Sequence, residues 1–240
     1  MKKEKQKKSS LSSTSIALII IAAIVIVAGY IVITNNPKPS SLGGTFEIIP
    51  GAEGTYTRNK VEAIELFDFM CPHCYELHKT GVMKKLVEKY GDRIEVRYVA
   101  LHFIEDRNAP SDVAILPILA YEYARENDRG DEMMEALFIA YHDRKMNITD
   151  MALLQEIAST LGLDTSDFST RLMSYQDRVK ANDDVAFNYY FTKIDPIVPT
   201  VIIAGNLRIP APYYSSFENM DKIISSLLLG NVPIWAQASI

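Results

Sequence analysis

The chain has 240 residues, 48% of them hydrophobic, and a net charge of −5. That suits one sizeable folded core, and an acidic chain offers no basic surface to a phosphate backbone, so no nucleic-acid partner is expected. Charge is uneven: the first ten residues, MKKEKQKKSS, carry five lysines against one glutamate, which leaves −9 on the rest. A basic tip on an acidic body is a pattern of membrane topology.

Behind the tip runs IALIIIAAIVIVAGYIVI, Ile16 to Ile33, without charge or proline. A membrane-spanning helix needs about 20 apolar residues, with ~17 tolerated. A secretory signal is the rival reading, but its apolar core is typically ~7–15 residues and ends in small residues. Here Ala28 and Gly29 are followed by more apolar chain, Tyr30 to Ile33, which favours a retained anchor, and no cysteine is present to carry a lipoprotein lipid. The lysines then place residues 1–15 in the cytoplasm as a basic tail, 16–34 in the membrane, and the remainder outside the cytoplasm, where disulfides persist. Residues 35–44, NNPKPSSLGG, read as a tether.

The globular pattern starts at Thr45. Val61 to Phe69 is a near-continuous apolar run, as expected of a strand buried on both faces. Pro72 suits the first turn of a helix, which should run to Tyr90 with a bend at Gly81 and a stop at Gly91. Arg93 to Phe103 reads as a second strand, completing a β-α-β unit with the two cysteines at the strand-to-helix junction. From Pro110 to Lys193 the spacing is helical, about five helices with Ser111, Asn147 and Asp164 as N-caps; Tyr121, Tyr123, Met133, Met134 and Tyr141 should form their core. Asp195 to Ile209 gives two strands around Gly205-Asn206, and a last helix spans about Ser216 to Leu229.

Cys71 and Cys74 are the only cysteines. A metal site is one use for them, with His78 as a third ligand on the same helix face, but structural zinc normally takes four ligands and no second CxxC or HxxxH is present. A structural disulfide is another, but so small a loop removes little entropy from the unfolded chain. A redox pair is the third and needs only what is here. A thiolate forms more readily at a helix N-terminus, where free N–H groups and the helix dipole meet Cys71. His73, between the cysteines, would favour that anion further as a neighbouring imidazole.

In this setting FDFMCPHCYELHK, Phe67 to Lys79, resembles the DsbA family of thiol:disulfide oxidoreductases. The CPHC sequence, the helical block and the later VPT, Val198 to Thr200, occur in the family's order, and the resemblance covers about Thr45 to Leu229. It implies an α/β fold of thioredoxin type with an inserted all-helical domain, here preceded by a single transmembrane helix. The folded domain would occupy 45–240, with the insertion at about 106–193. It further implies that Cys71 is the exposed attacking cysteine and Cys74 the buried resolving one. Pro199 would be a cis-proline beside them, and Val198 and Thr200 would flank it in the substrate-binding loop. Pro196 is outside the matching place.

Glu65 stands where this fold keeps a buried acid that relays a proton to or from the second sulfur; Asp68 is read as structural. Some members face that acid with a lysine from the next strand. This chain has none there, only Arg97-Tyr98. No metal and no organic cofactor are implied. The expected partners are reduced cysteine-containing secreted or envelope proteins and a re-oxidising membrane protein of the DsbB type, with the enzyme a monomer. Two alternatives stay open. One is a disulfide reductase or isomerase on the same fold, although isomerases of this kind commonly dimerise through an added N-terminal domain. The other is a metallochaperone holding copper or zinc through the CxxC.

Overall fold

A computed structural model describes residues 42–103 and 114–233. Among them no helix is long and apolar enough to cross a membrane. The Ile16–Ile33 span, most of the tether and Ser111 lie outside the described residues.

The sheet begins with a two-residue edge strand, β1 (Glu47–Ile48), that the sequence pattern did not announce. β2 (Val61–Phe67) is an interior strand, with six of seven residues buried. It ends two residues earlier than the apolar run because Asp68 turns the chain. Next comes α1 (Pro72–Thr80), with Pro72 in the first turn. The expected single helix to Tyr90 is in fact two. Gly81 adopts a left-handed conformation at φ 62°, donates its N–H to the His78 carbonyl, and starts α2 (Val82–Tyr90). A Cβ at Gly81 would meet nothing within 4 Å, so the backbone conformation and not crowding calls for glycine. β3 (Ile94–Ala100) then pairs parallel to β2.

The helical block contains α3 (Leu116–Glu126), α4 (Gly130–Phe138), α5 (Met151–Thr160), α6 (Phe168–Met173) and α7 (Gln176–Asp183). Two of them continue as π-helical turns, α4 through Ile139–Asp143 and α7 through Asp184–Tyr190. The N-caps differ from expectation. Asn147 accepts from the Thr149 N–H and hydroxyl, and it is Asp150 whose side chain caps α5 through the Ala152 N–H. Asp164 likewise closes a turn onto Ser166, upstream of α6. Of the expected core residues, Tyr121, Tyr123, Met133 and Met134 are buried and Tyr141 is half-buried. Asn182 joins the block to the sheet, donating to the Ala100 carbonyl at 3.2 Å and the buried Glu122 carboxylate at 3.1 Å.

The chain returns as the hairpin β4 (Thr200–Ile203) and β5 (Leu207–Ile209). Ala204 (φ 49°) and Gly205 (φ 78°) make its turn, and a Cβ on Gly205 would collide with the Glu53 carbonyl oxygen. α8 (Phe217–Leu228) closes the domain, capped by the Ser216 hydroxyl. Strand order is β1-β5-β4-β2-β3, with only β2 and β3 parallel. One face of the sheet packs under α1, α2 and α8, the other around Tyr190, and a third cluster joins the end of β2 to the helical block. Leu42 is buried in the first cluster and Gly43 donates to the Ser226 hydroxyl at 3.1 Å, so the last residues of the expected tether already pack on α8.

Candidate active site

The segment between β2 and α1 is shaped by Asp68. One carboxylate oxygen accepts from the Met70 N–H at 2.6 Å, the other from the Phe103 N–H at 2.7 Å, and the Asp68 carbonyl accepts from the Cys71 N–H at 3.1 Å. Asp68 therefore folds the turn that delivers Cys71 to the N-cap of α1, with φ −78° and ψ 118°. Pro72 follows without an N–H to satisfy, and the next free amides, those of His73 and Cys74, favour the Cys71 anion without a capping hydrogen bond to its thiol.

The two sulfurs are thiols in this structure and are not equivalent. The Cys74 thiol donates to the Cys71 sulfur, and with the N–H groups of Cys74 and His73 this brings the Cys71 pKa down to about 6, against the opposing effects of burial and the Asp68 charge. Burial, and then the neighbouring Cys71, push Cys74 far above an ordinary thiol. Cys71 was expected to be exposed, but it is only 3% exposed. The Val198 carbonyl covers it, accepting from the Cys71 thiol at 3.4 Å. His73 is exposed, and its backbone N–H is one of the groups that favour the Cys71 anion.

The covering loop comes from the far end of the chain. β4 runs antiparallel beside β2 with Thr200 opposite Leu66, which carries Val198 and Pro199 past the end of β2 toward Cys71. The Val198–Pro199 peptide bond is cis, Pro199 is buried, and the Thr200 hydroxyl closes the loop on the Ile197 carbonyl at 2.8 Å. Pro196 is exposed and its bond is not cis. A second cis bond, Ala211–Pro212, had no signal in the sequence reading.

Glu65 is 4% exposed, with no hydrogen bond or ion pair to its carboxyl among the described residues. Burial raises its pKa to about 8, so it is protonated at neutral pH. Were Glu65 ionised, its charge would push the Cys74 thiol further up. Tyr98 on β3 and Val201 on β4 stand opposite it, while Arg97 pairs with Ile64 and so points to the other face. Behind Glu65 a cavity of about 410 Å³ is lined by His78, Tyr98, Asp131 and Glu135 among others. His78 packs on Phe138 and faces Glu135 at 3.7 Å. It does not converge with the sulfurs, and among the described residues no three metal-binding side chains gather.

A DSBA-like thioredoxin domain model matches residues 63–192, more than half of the chain. The thiol:disulfide interchange protein DsbA of Burkholderia cepacia is 25% identical over 195 residues, covering 80% of this chain and 86% of that protein. Among solved structures, Pseudomonas aeruginosa DsbA superposes with a TM-score of 0.60 at 17% identity, over 84% of this chain and 97% of its own. DsbA from Xylella fastidiosa gives 0.58 at 18% identity, over 78% and 97%. At those identities the structural likenesses speak for the fold: a mixed sheet of thioredoxin type interrupted by helices. The chain belongs to the DSBA-like thioredoxin domain family.

Proposed function

We propose that this protein is a thiol:disulfide oxidoreductase that donates the Cys71–Cys74 disulfide to reduced proteins outside the cytoplasm. The observation that carries the reading is the inequality of the two sulfurs, one held near 6 by directed donors and the other buried and held protonated. A substrate thiolate attacks Cys71 of the oxidised pair. The Cys71–Cys74 bond breaks, a substrate–Cys71 bond forms, and Cys74 leaves as a thiolate that takes a proton, with the protonated Glu65 as donor. A second substrate thiolate then attacks the substrate sulfur of the mixed disulfide and expels the Cys71 thiolate. The substrate has lost two electrons and the enzyme has gained them. Stabilising the expelled thiolate stabilises the dithiol form, which favours disulfide donation over reduction.

In this reading the Val198 backbone, next to Pro199 and Thr200, lines up an extended substrate segment against Cys71. Return to the disulfide form requires an electron acceptor, by family analogy a membrane oxidase of the DsbB type. The lysine-rich tip and the uncharged Ile16–Ile33 span support a membrane-anchored enzyme with its catalytic domain on the extracytoplasmic side.

Alkylation of the reduced protein as a function of pH tests the assignment. Cys71 should react with a midpoint near 6 while Cys74 is spared, and Cys74→Ser should accumulate substrate mixed disulfides on Cys71. Equal reaction of both thiols with an ordinary midpoint would overturn it. Equilibration with glutathione then distinguishes the disulfide donor from the reductase or isomerase.

A further inference from the structure

The π turn that ends α4 puts two neighbouring side chains on the active-site segment, and the exchange reaction outlined above uses neither. In this turn the Arg144 N–H reaches back five residues to the Ile139 carbonyl at 3.0 Å. His142 Nε2 lies 2.9 Å from the Phe69 carbonyl oxygen; a carbonyl only accepts, so Nε2 carries the proton. The His142 ring stacks on Tyr75 at 4.8 Å and 8°. Tyr75 in turn donates its hydroxyl to Asp143 Oδ2 at 2.7 Å, and its N–H to the Cys71 carbonyl at 3.1 Å. The helical insertion thus holds Phe69, two residues before Cys71, and Tyr75, four residues after it. The Phe69 carbonyl has no other partner among the described residues.

We propose that His142 and Asp143 are positioning residues for the redox pair: by gripping Phe69 and Tyr75 on either side of it they hold Cys71 in place against the first turn of its helix. This rests on the thiol oxidoreductase reading of the site. Hydrogen bonds weaken steeply with misalignment, and those to a thiolate are charge-assisted, so a small shift of the segment is felt at Cys71. Without the His142 donor the Phe69 carbonyl is left buried and unsatisfied, and the turn moves to relieve it. The insertion, though remote in sequence, then sets the acidity of the attacking sulfur.

The test uses His142→Phe, which keeps a ring on Tyr75 but removes the donor, and Tyr75→Phe, which removes only the hydroxyl that reaches Asp143. Both should move the Cys71 alkylation midpoint upward, lowering the rate below the wild-type midpoint by roughly threefold to tenfold. The glutathione equilibrium should shift toward the disulfide form in the same sense, because a less stable thiolate makes a weaker oxidant. A folded His142→Phe protein with the wild-type midpoint and equilibrium would overturn the proposal, leaving these contacts purely structural. If that variant does not fold, Tyr75→Phe decides by the same two readings. An ordinary midpoint in the wild type would instead overturn the functional assignment itself, so the two failures are distinct.

Discussion

Replacing Glu65 by glutamine should make the protein's stability less sensitive to pH. The carboxyl titrates near its ordinary 4.5 in the unfolded chain and at about 8 in the fold. Between those values the folded state holds a proton that the unfolded state releases, so stability falls as pH rises through the window. At 1.36 kcal/mol per unit, the loss attributable to Glu65 is about 1 kcal/mol at pH 5, about 3 at pH 7, and levels off near about 5 above pH 8. No partner among the described residues offsets it, and water in the adjoining cavity of about 410 Å³ would moderate it. Glutamine never ionises. Its amide adds an offset of its own, but that offset does not vary with pH, so the slope is diagnostic and the absolute value is not. Urea unfolding of the reduced wild type and Glu65→Gln should be compared from pH 5 to 9 with the m-value held common. The gain of the variant over wild type should grow by several kcal/mol across that range. Parallel curves would refute the reasoning, because they would mean that Glu65 ionises in the fold as readily as in water.

Asp68→Ala should cost roughly 2–5 kcal/mol, since it strips the Met70 and Phe103 amides of a buried acceptor, and a melting temperature within a degree or two of wild type would contradict that. The full-length protein should stay with the membrane fraction after alkaline carbonate washing, as the Ile16–Ile33 span implies; a soluble mature form beginning near Tyr30 would show cleavage instead.

Features with a local cause were legible in the sequence. The apolar run of β2, Pro72 in the first turn and the glycine-bearing turn of the hairpin each follow from a few adjacent residues. Gly81 was visible too, but as a bend, because the apolar spacing continues on both sides and only the backbone angle shows that one helix stops and another starts. Asn147 and Asp164 carry N-cap chemistry, and both use it to close turns just before the helices begin. The burial of Cys71 was not legible, because its cover is the carbonyl of Val198, 127 residues away. Nor were His142 and Asp143, since a π turn shifts the helical register and the pairs they form, with Phe69 and Tyr75, span 73 and 68 residues.

Cys71 and Glu65 share an environment and respond in opposite directions. Both are almost wholly buried, and burial alone disfavours either anion. Glu65 follows that rule, because its carboxyl receives no donor. Cys71 breaks it, because the Cys74 thiol and two neighbouring backbone N–H groups favour its anion. Away from water each directed donor counts for more than it would at the surface, and each unpaired charge costs more. The site therefore gets a stable thiolate and, farther along the same strand, a protonated acid from similarly buried surroundings, and the proposed exchange would use both: a sulfur that leaves as an anion and a proton for the one that does not. What decides between them is the aim of a few hydrogen bonds, which is why the contacts of the helical insertion on Phe69 and Tyr75 matter to chemistry they never touch.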